Sequence, residues 1–422
     1  ERSGKVISLV LDTKGPEIRT GLLEDHQKIM LKSGDRIVLS TEECVGNKER
    51  VYINYSGLCE DVKEGNVILI DDGLIGLKVL EVAGKEIRCE ITNGGELGER
   101  KGVNVPNVPI RLPSLTEQDI DDIRFGLDEG FDFVAASFIR NAQAIEDIRK
   151  LIDEAGSNMK IIAKIESQEG LDNLQEIINA ADGIMVARGD LGVEIEARRL
   201  PQLQKEIIEK CNYEGKLVIT ATQMLDSMIH NPRPTRAEVA DVANAIYDGT
   251  DCIMLSGETA AGKYPVEAVR MMASIAEDTE RYLTESRDYH DRGGIKNVNS
   301  AIGAAAVEIS NRVDATCIIC PTHSGRTARL ISNFRPKLPI YAMSPSNHAI
   351  RKTCFQWGVR AYKTTEQGSL SATCYNALTV AKEHGLVKTG DLVVITAGDP
   401  QTSPSQGDYI TSTNMTMVSQ IQ

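Results

Sequence analysis

Five apolar runs between residues 134 and 256 each end in polar side chains, and this recurrence limits the fold more than any other feature of the chain. The runs are Val134-Ala-Ala-Ser137, Ile161-Ile-Ala-Lys164-Ile-Glu166, Ile184-Met-Val-Ala-Arg-Gly-Asp190, Val218-Ile-Thr-Ala-Thr222 and Ile253-Met-Leu-Ser256. Their polar ends lie 29, 24, 32 and 34 residues apart (137 to 166, 166 to 190, 190 to 222, 222 to 256). A unit of about 30 residues with one continuous apolar run and one amphipathic stretch is a strand–helix repeat with a buried parallel strand. Helix signals fill the gaps. Ser114-Leu-Thr-Glu117 and Thr235-Arg-Ala-Glu238 have capping-box spacing, followed at helical period by Ile120, Ile123 and Leu127, and by Val239, Val242, Ala243 and Ile246. Polar residues at the carboxyl end of every strand fit the catalytic rim of a (β/α)8 barrel, whereas a doubly wound sheet would collect them at one switch point. The apolar run 6–11, ending at Asp12, is a sixth strand expected to be buried on both faces, which leaves the count two short of closure.

Residues 22 to about 110 have a different texture. Short segments of β character (Arg36-Ile-Val-Leu-Ser, Val51-Tyr-Ile-Asn-Tyr, Leu77-Lys-Val-Leu-Glu-Val), a hairpin turn at Val82-Ala-Gly-Lys85 and no convincing helix indicate an inserted all-β domain. From about residue 298 a second α/β unit begins, with strands expected at 317–320, 340–343, 359–363 and 392–396; the polar stretch 282–297 is the connection. The fold class is therefore α/β: a TIM-type (β/α)8 barrel lacking its first two βα units, an inserted β-barrel lid domain and a C-terminal α/β domain. The expected boundaries are 1–15 (barrel, first part), 16–112 (lid), 113–283 (barrel, second part) and 284–422 (effector and oligomerisation domain).

With 41% hydrophobic and 26% charged residues, 422 residues supply two or three globular cores. A net charge of −14 argues against nucleic acid or an anionic membrane as the main partner, though not against small phosphates in a local cationic pocket. No apolar run is long enough for a membrane span, and the opening residues carry no signal-peptide pattern. Nine scattered cysteines fit a reducing, cytoplasmic setting better than a disulfide framework. Cys317 and Cys320 form a C-x-x-C without a second ligand pair nearby, which favours two small residues of a buried strand over zinc or redox chemistry. The six histidines, His290 and His348 among them, do not cluster and are expected on the surface.

Three charged side chains carry the chemistry. Lys164 and Glu166 point to one face of their strand, and Asp190 ends the next strand at the same level. An ordinary ion pair explains the first two. The third makes a pair of carboxylates suited to a hard cation such as Mg²⁺, with a lysine aimed at developing negative charge. Arg188-Gly-Asp-Leu-Gly192 joins a strand to a helical segment and is a weak anion signal alone. Gly257-Glu-Thr-Ala-Ala-Gly-Lys-Tyr264 nearly matches a phosphate loop, but tyrosine replaces the metal-binding hydroxyl. Thr322, Ser324, Gly325, Arg326 and Thr327 follow a strand and open a helix; they suit an effector phosphate, or equally a plain Ser N-cap.

Taken together, these motifs resemble the pyruvate kinase family. The matching stretches are Leu11-Asp-Thr-Lys-Gly-Pro-Glu-Ile-Arg-Thr20, Asp71-Asp-Gly-Leu74, Lys101-Gly-Val-Asn-Val-Pro106, Ala136-Ser-Phe-Ile-Arg140, Lys164-Ile-Glu166, Ala187-Arg-Gly-Asp-Leu-Gly192, Ala221-Thr-Gln-Met224, Asn231-Pro-Arg-Pro-Thr-Arg-Ala-Glu238 and Met254-Leu-Ser-Gly-Glu-Thr259, in family order across nearly the whole chain. The resemblance implies phosphoryl transfer between phosphoenolpyruvate and ADP, giving pyruvate and ATP. It implies Mg²⁺ (or Mn²⁺) on Glu166 and Asp190, and K⁺ on Asp12 and Thr13, with Glu17 of the type found in K⁺-dependent members. Lys164 would stabilise the transferring phosphoryl group and the enolate. Gly189, Asp190 and Thr222 would hold the substrate carboxylate, and Ser137 would line the pocket. Thr222 would lie on the proton path, with Ser256 and Glu258 beyond it. Arg19, Lys101 and Asp72 would face the nucleotide. A homotetramer and a sugar-phosphate or nucleotide effector are implied by family alone.

Three departures accompany the resemblance. The family's two leading strand–helix units, with an Arg-x-Asn-x-Ser-His motif for phosphate and K⁺, have no counterpart here; segment 196–199 is less acidic than usual; and 399–413 differs from the family's Gly-rich effector loop. The alternative for these residues alone is a catalytically impaired, phosphometabolite-binding fragment. A metal-dependent carbon–carbon lyase would account for Lys164, Glu166 and Asp190 but not for the lid or the 13–20 segment.

Overall fold

The computed structural model describes residues 5–283, 297–398 and 413–422. Six parallel strands, Val10–Asp12, Phe133–Ala136, Lys160–Ile165, Gly183–Ala187, Leu217–Ala221 and Cys252–Ile253, pair in sequence order to form one curled sheet, an open part of a barrel. Helices Glu117–Asp128, Ala142–Glu154, Leu174–Ala180, Leu200–Glu214, Arg236–Asp248 and Pro265–Arg281 lie between or after the strands, as the repeat requires. The outer core buries Val134, Ile161, Ala163, Ile184 and Val218 against helix residues Ile148, Ile177 and Ile207. Alternate strand residues (Ala135, Ile162, Met185, Ile219) form the inner cluster. That alternation makes the runs apolar throughout: both faces are covered.

The run 6–11 departs from expectation. Only its last part is strand, and Val6, Ile7 and Leu9 are 45%, 62% and 48% exposed. Among the described residues Val10–Asp12 pairs on one side only, with Phe133–Ala136, so no described strand covers its other flank. The first capping box is also shifted: Thr116 is the N-cap, and Asp119, not Glu117, closes the box. The carboxylate of Asp119 is fully buried and has a second task, accepting the Gly15 N–H at 2.9 Å where the chain leaves the barrel. The box at Thr235 and Glu238 forms as expected. Of its helix stripe, Val242 and Ile246 are buried while Val239 is exposed.

Between residues 29 and 104 a six-stranded sheet, joined by the two-stranded pair Ile29–Leu31 and Gly95–Leu97, encloses its own core of Ile37, Leu39, Ile68, Leu77 and Ile87. The hairpin at Ala83–Glu86 turns on Gly84 at φ 62°, a left-handed conformation that glycine adopts without strain. A one-turn helix, Leu58–Asp61, is the only α-helix of this unit among the described residues.

The C-terminal unit has four parallel strands, Cys317–Pro321, Ile340–Ser344, Val359–Lys363 and Leu392–Ala397, and an antiparallel edge strand, Met415–Gln420, that sequence reasoning did not anticipate. Cys317 and Cys320 lie on opposite faces of their strand, in separate hydrophobic clusters, so the sheet itself keeps them from sharing one ion. The unit docks on the amino-end rim of the barrel strands. Asp132 receives Arg351, the Phe355 ring lies 4.6 Å from that of Phe133, and Arg335 is ion-paired to Asp251 at 2.8 Å. His348 is not a free surface residue: its Nδ1 is 3.5 Å from Asp132. His290 and the expected effector-loop stretch 399–412 lie outside the described residues.

Candidate active site

The carboxyl ends of the strands bring the expected cluster together. Lys164 Nζ, with its side chain 13% exposed, reaches Ser137 Oγ at 2.7 Å, Glu166 Oε1 at 3.1 Å and Asp12 Oδ1 at 3.2 Å. Burial alone would lower the lysine, but Glu166 and Asp12 outweigh it and hold the ammonium above its ordinary value, so it stays charged. Glu166 is 1% exposed and takes the Phe138 N–H at 2.5 Å. Burial pushes its carboxyl up to about 7, with Lys164 opposing and Asp190 adding to the rise. The Asp190 carboxyl is raised too, by burial first, against the pull of Lys164. Two desolvated carboxylates short of positive charge are a donor set that fits a divalent cation, with substrate oxygens and water completing its shell. No cluster of three or more His, Cys, Asp or Glu side chains suited to a metal occurs among the described residues.

Asp190 sits in the first turn of helix Arg188–Glu194, which starts directly after Gly183–Ala187, so no separate turn intervenes. Thr222 follows Leu217–Ala221 at φ 69° and Gln223 at φ 53°, two adjacent non-glycine residues in the left-handed region. For a β-branched residue this is strained. The backbone twist turns Thr222 Oγ1 to accept the Gly189 N–H at 2.7 Å and donate to Ala221 O at 2.6 Å. Arg188 stabilises this geometry: buried, it donates to Thr222 O at 2.7 Å and Ala221 O at 3.2 Å, with Asp241 as its counter-ion at 2.7 Å. Beyond Thr222, Glu258 is buried with its two oxygens on the Leu225 and Ser256 amides, and Ser256 Oγ is buried without a partner among the described residues.

Asp12 and Thr13 are adjacent at the rim, but Asp12 is held by Lys164, and Thr13 Oγ1 accepts the Ser137 N–H at 3.1 Å while Thr13 O accepts from Ser137 Oγ at 2.6 Å. The Asp12 carboxylate and Thr13 carbonyl are oxygen donors of the kind a K⁺ ion takes. Arg19, Asp72 and Lys101 line the β-domain side of a cleft of about 620 Å³ whose barrel side includes Glu166 and Asp190. Arg19 Nε rests on Glu17 at 2.7 Å, and Lys101 pairs with Asp71 at 2.9 Å rather than with Asp72. The cleft thus sets Arg19 and Lys101 of the β-domain across from Glu166 and Asp190 of the barrel, among further carboxylates that include Asp71, Asp72 and Glu194, so a polyanion there would need both the cations and a metal.

Comparison with known proteins decides the family of the chain. The family model "Pyruvate kinase, barrel domain" matches residues 1–269, and "Pyruvate kinase, alpha/beta domain" matches residues 300–418. The chain belongs to the pyruvate kinase family. A pyruvate kinase of Clostridium acetobutylicum is 48% identical over 399 residues, covering 94% of this chain and 84% of that protein. One from Staphylococcus aureus is 46% identical over 404 residues, covering 95% and 69%. A crystal structure of a pyruvate kinase from Cryptosporidium parvum superposes with a TM-score of 0.91 at 38% identity, covering all of this chain and 85% of that one.

Within this pyruvate kinase fold, the segment expected to take an effector phosphate is only partly open. Thr322 Oγ1 accepts the Gly325 N–H at 3.0 Å, and Gly325 (φ 81°), not Ser324, is the N-cap of helix Arg326–Asn333. Ser324 and Arg326 are exposed; Thr327 is buried and bonded to Thr413 at 3.0 Å. Gly257 opens a one-turn helix, Gly257–Ala260, and Gly262 lies two residues past its end, so the phosphate-loop likeness has no cradle behind it. Sequence reasoning assigned no role to Arg188, Arg140 or Asp119. The signal available was an arginine directly after a buried strand, at 188, and one four residues beyond a strand, at 140.

Proposed function

We propose that this protein is a pyruvate kinase that transfers a phosphoryl group between phosphoenolpyruvate and ADP with the residues of this cleft. The observation that supports it most is that Glu166 and Asp190 line one cleft with Arg19 and Lys101, while Lys164 lies 3.1 Å from Glu166. Phosphoryl transfer asks the protein for alignment and charge neutralisation more than for covalent chemistry. Lys164, fixed by Ser137, Glu166 and Asp12, faces the transferring group and the enol oxygen; in the forward direction the enol O–P bond breaks as a bond from the ADP β-phosphate oxygen forms. Glu166 and Asp190 would hold Mg²⁺ (or Mn²⁺), and Asp12 and Thr13 part of a K⁺ site, supplying positive charge that the transferring oxygens need.

The substrate carboxylate would take the amides of Gly189 and Asp190 and the Thr222 hydroxyl, replacing the Gly189–Thr222 bond of the free protein. The enolate carbon would then take a proton that comes from solvent water by way of the Thr222 hydroxyl, with Ser256 and Glu258 behind it. Residues 16–112 act as a lid hinged on 1–15 and 113–283; its closure would exclude water competing for the phosphoryl group. Residues 284–422 would serve effector binding, with Arg326 and Ser324 offered to a sugar phosphate or nucleotide, and assembly into a homotetramer. A cytoplasmic setting accords with this, and no described helix is long and apolar enough to cross a membrane.

Mn²⁺ titration followed by electron paramagnetic resonance tests the metal assignment without turnover. Glu166→Gln and Asp190→Asn should each weaken binding by at least roughly tenfold. Unchanged affinity in both variants would refute it.

A further inference from the structure

Both chain crossings between the barrel and the β-domain meet one short loop, residues 137–140, which follows strand Phe133–Ala136. On the outgoing crossing, Gly15 lies so close that a Cβ there would fall 2.8 Å from both Ser137 Cβ and Phe138 Cδ2, which only glycine permits. On the returning crossing, the Arg140 guanidinium donates to the carbonyls of Ile110 and Leu112. The same loop touches the chemistry: Ser137 Oγ accepts from Lys164, and the Phe138 N–H donates to Glu166. Its far end is pinned, since Arg140 O accepts from Asn173 Nδ2 at 2.9 Å. Phe138 has φ 53°, a left-handed conformation unusual for a bulky residue, which sends its amide to Glu166. Arg140 Nε is buried without a partner among the described residues, a cost that an apolar residue at 140 would avoid.

We propose that Arg140 is a positioning residue that ties the orientation of the β-domain to Glu166 and Lys164 through the 137–140 loop. It touches no substrate in this assignment. When the β-domain swings, the Ile110 and Leu112 carbonyls pull on the guanidinium, and the rigid four-residue loop carries the displacement to the Phe138 amide and the Ser137 hydroxyl. The metal-binding carboxylate and the ammonium would then reach their working positions only with the β-domain in place, so that an open cleft is also a misaligned one. This rests on the cleft being the pyruvate kinase site.

Arg140→Met keeps the length of the side chain and removes its donors; Arg140→Lys keeps the charge but cannot span both carbonyls. Hydrogen exchange in Arg140→Met should quicken at residues 105–112 and, at least roughly tenfold, at the Phe138 amide, with Arg140→Lys between it and the parent. The kcat per folded molecule should fall by about 10- to 100-fold, as expected for displacement of aligned groups, with the phosphoenolpyruvate KM within about twofold. Exchange that rises only at 105–112 while Phe138 is unchanged would overturn the coupling. So would a loss of activity that matches the loss of folded protein. If the parent protein makes no pyruvate, the functional assignment fails, and the Phe138 exchange still judges the coupling by itself.

Discussion

Replacing Arg335 by methionine should loosen the C-terminal unit from the barrel by a large and measurable amount. The arginine is 8% exposed, and its NH1 lies 2.8 Å from Asp251, whose side chain is equally buried. Its NH2 donates to Asn212 Oδ1 at 2.9 Å and Gly249 O at 2.8 Å, both on the barrel. Without the guanidinium, Gly249 O still has the Asn212 amide at 3.0 Å and Asp251 keeps the Val218 N–H at 2.9 Å, but its charge is left uncompensated. Breaking a buried pair from one side costs about 3–5 kcal/mol, mostly as the desolvation of the abandoned charge.

Trp357, the chain's single tryptophan, has its ring 5.4 Å from that guanidinium, so denaturant titration followed by its emission reports on this interface. Arg335→Met should shift that transition by about 3–5 kcal/mol, and adding Asp251→Asn should restore roughly 1–3 kcal/mol, because the orphaned charge is gone. A shift below about 1 kcal/mol, or a double variant whose loss is the sum of the two single losses, would refute the buried-pair argument.

Two further perturbations test neighbouring parts of the structure. Asp119→Ala removes the N3 half of a capping box and the buried partner of the Gly15 N–H, and should cost about 2–4 kcal/mol, with faster exchange at Gly15; an unchanged unfolding midpoint would contradict the double role. At Asp182, burial would raise the carboxyl, but Lys160, the Ile161 amide and Arg149 outweigh it and hold the group below its ordinary value. A depressed carboxyl contributes stability that is complete once the unfolded aspartate ionises above about pH 4 and is lost as pH falls through the lower folded value. Asp182→Asn should therefore be less stable than the parent near neutrality, with the gap closing in acid; a gap that persists or widens at low pH would refute the sign.

The strand–helix recurrence and the positions of Lys164, Glu166 and Asp190 were legible because period and strand polarity are local properties. Two residues on one strand face, and a third ending the next strand, need no tertiary information to be placed together. What escaped was long-range or depended on neighbours. Arg140 bonds to carbonyls 28 and 30 residues back in the chain, and Arg188 supports a loop 34 residues on; an isolated arginine carries no mark of its partner. Val6, Ile7 and Leu9 have the composition of a buried strand, yet their burial depends on a second neighbouring strand that the described sheet does not have. The edge strand Met415–Gln420 alternates only weakly and is fixed by its antiparallel pairing with Leu392–Ala397. The first helix start was misplaced because Ser114 and Thr116 both offer a hydroxyl three residues before a carboxylate, and only the tertiary bond from Gly15 to Asp119 selects between them.

The most direct measurement is the joint formation of pyruvate and ATP from phosphoenolpyruvate and ADP with Mg²⁺ and K⁺, by the protein and by its Lys164→Met variant. The protein should form the two products in equal amounts, and the variant should keep its fold while kcat falls by at least about 10²–10³, the loss expected when one fixed charge facing the transition state is removed. Absence of ATP from the parent protein, or a Lys164→Met variant of unchanged rate, would contradict the assignment of this cleft.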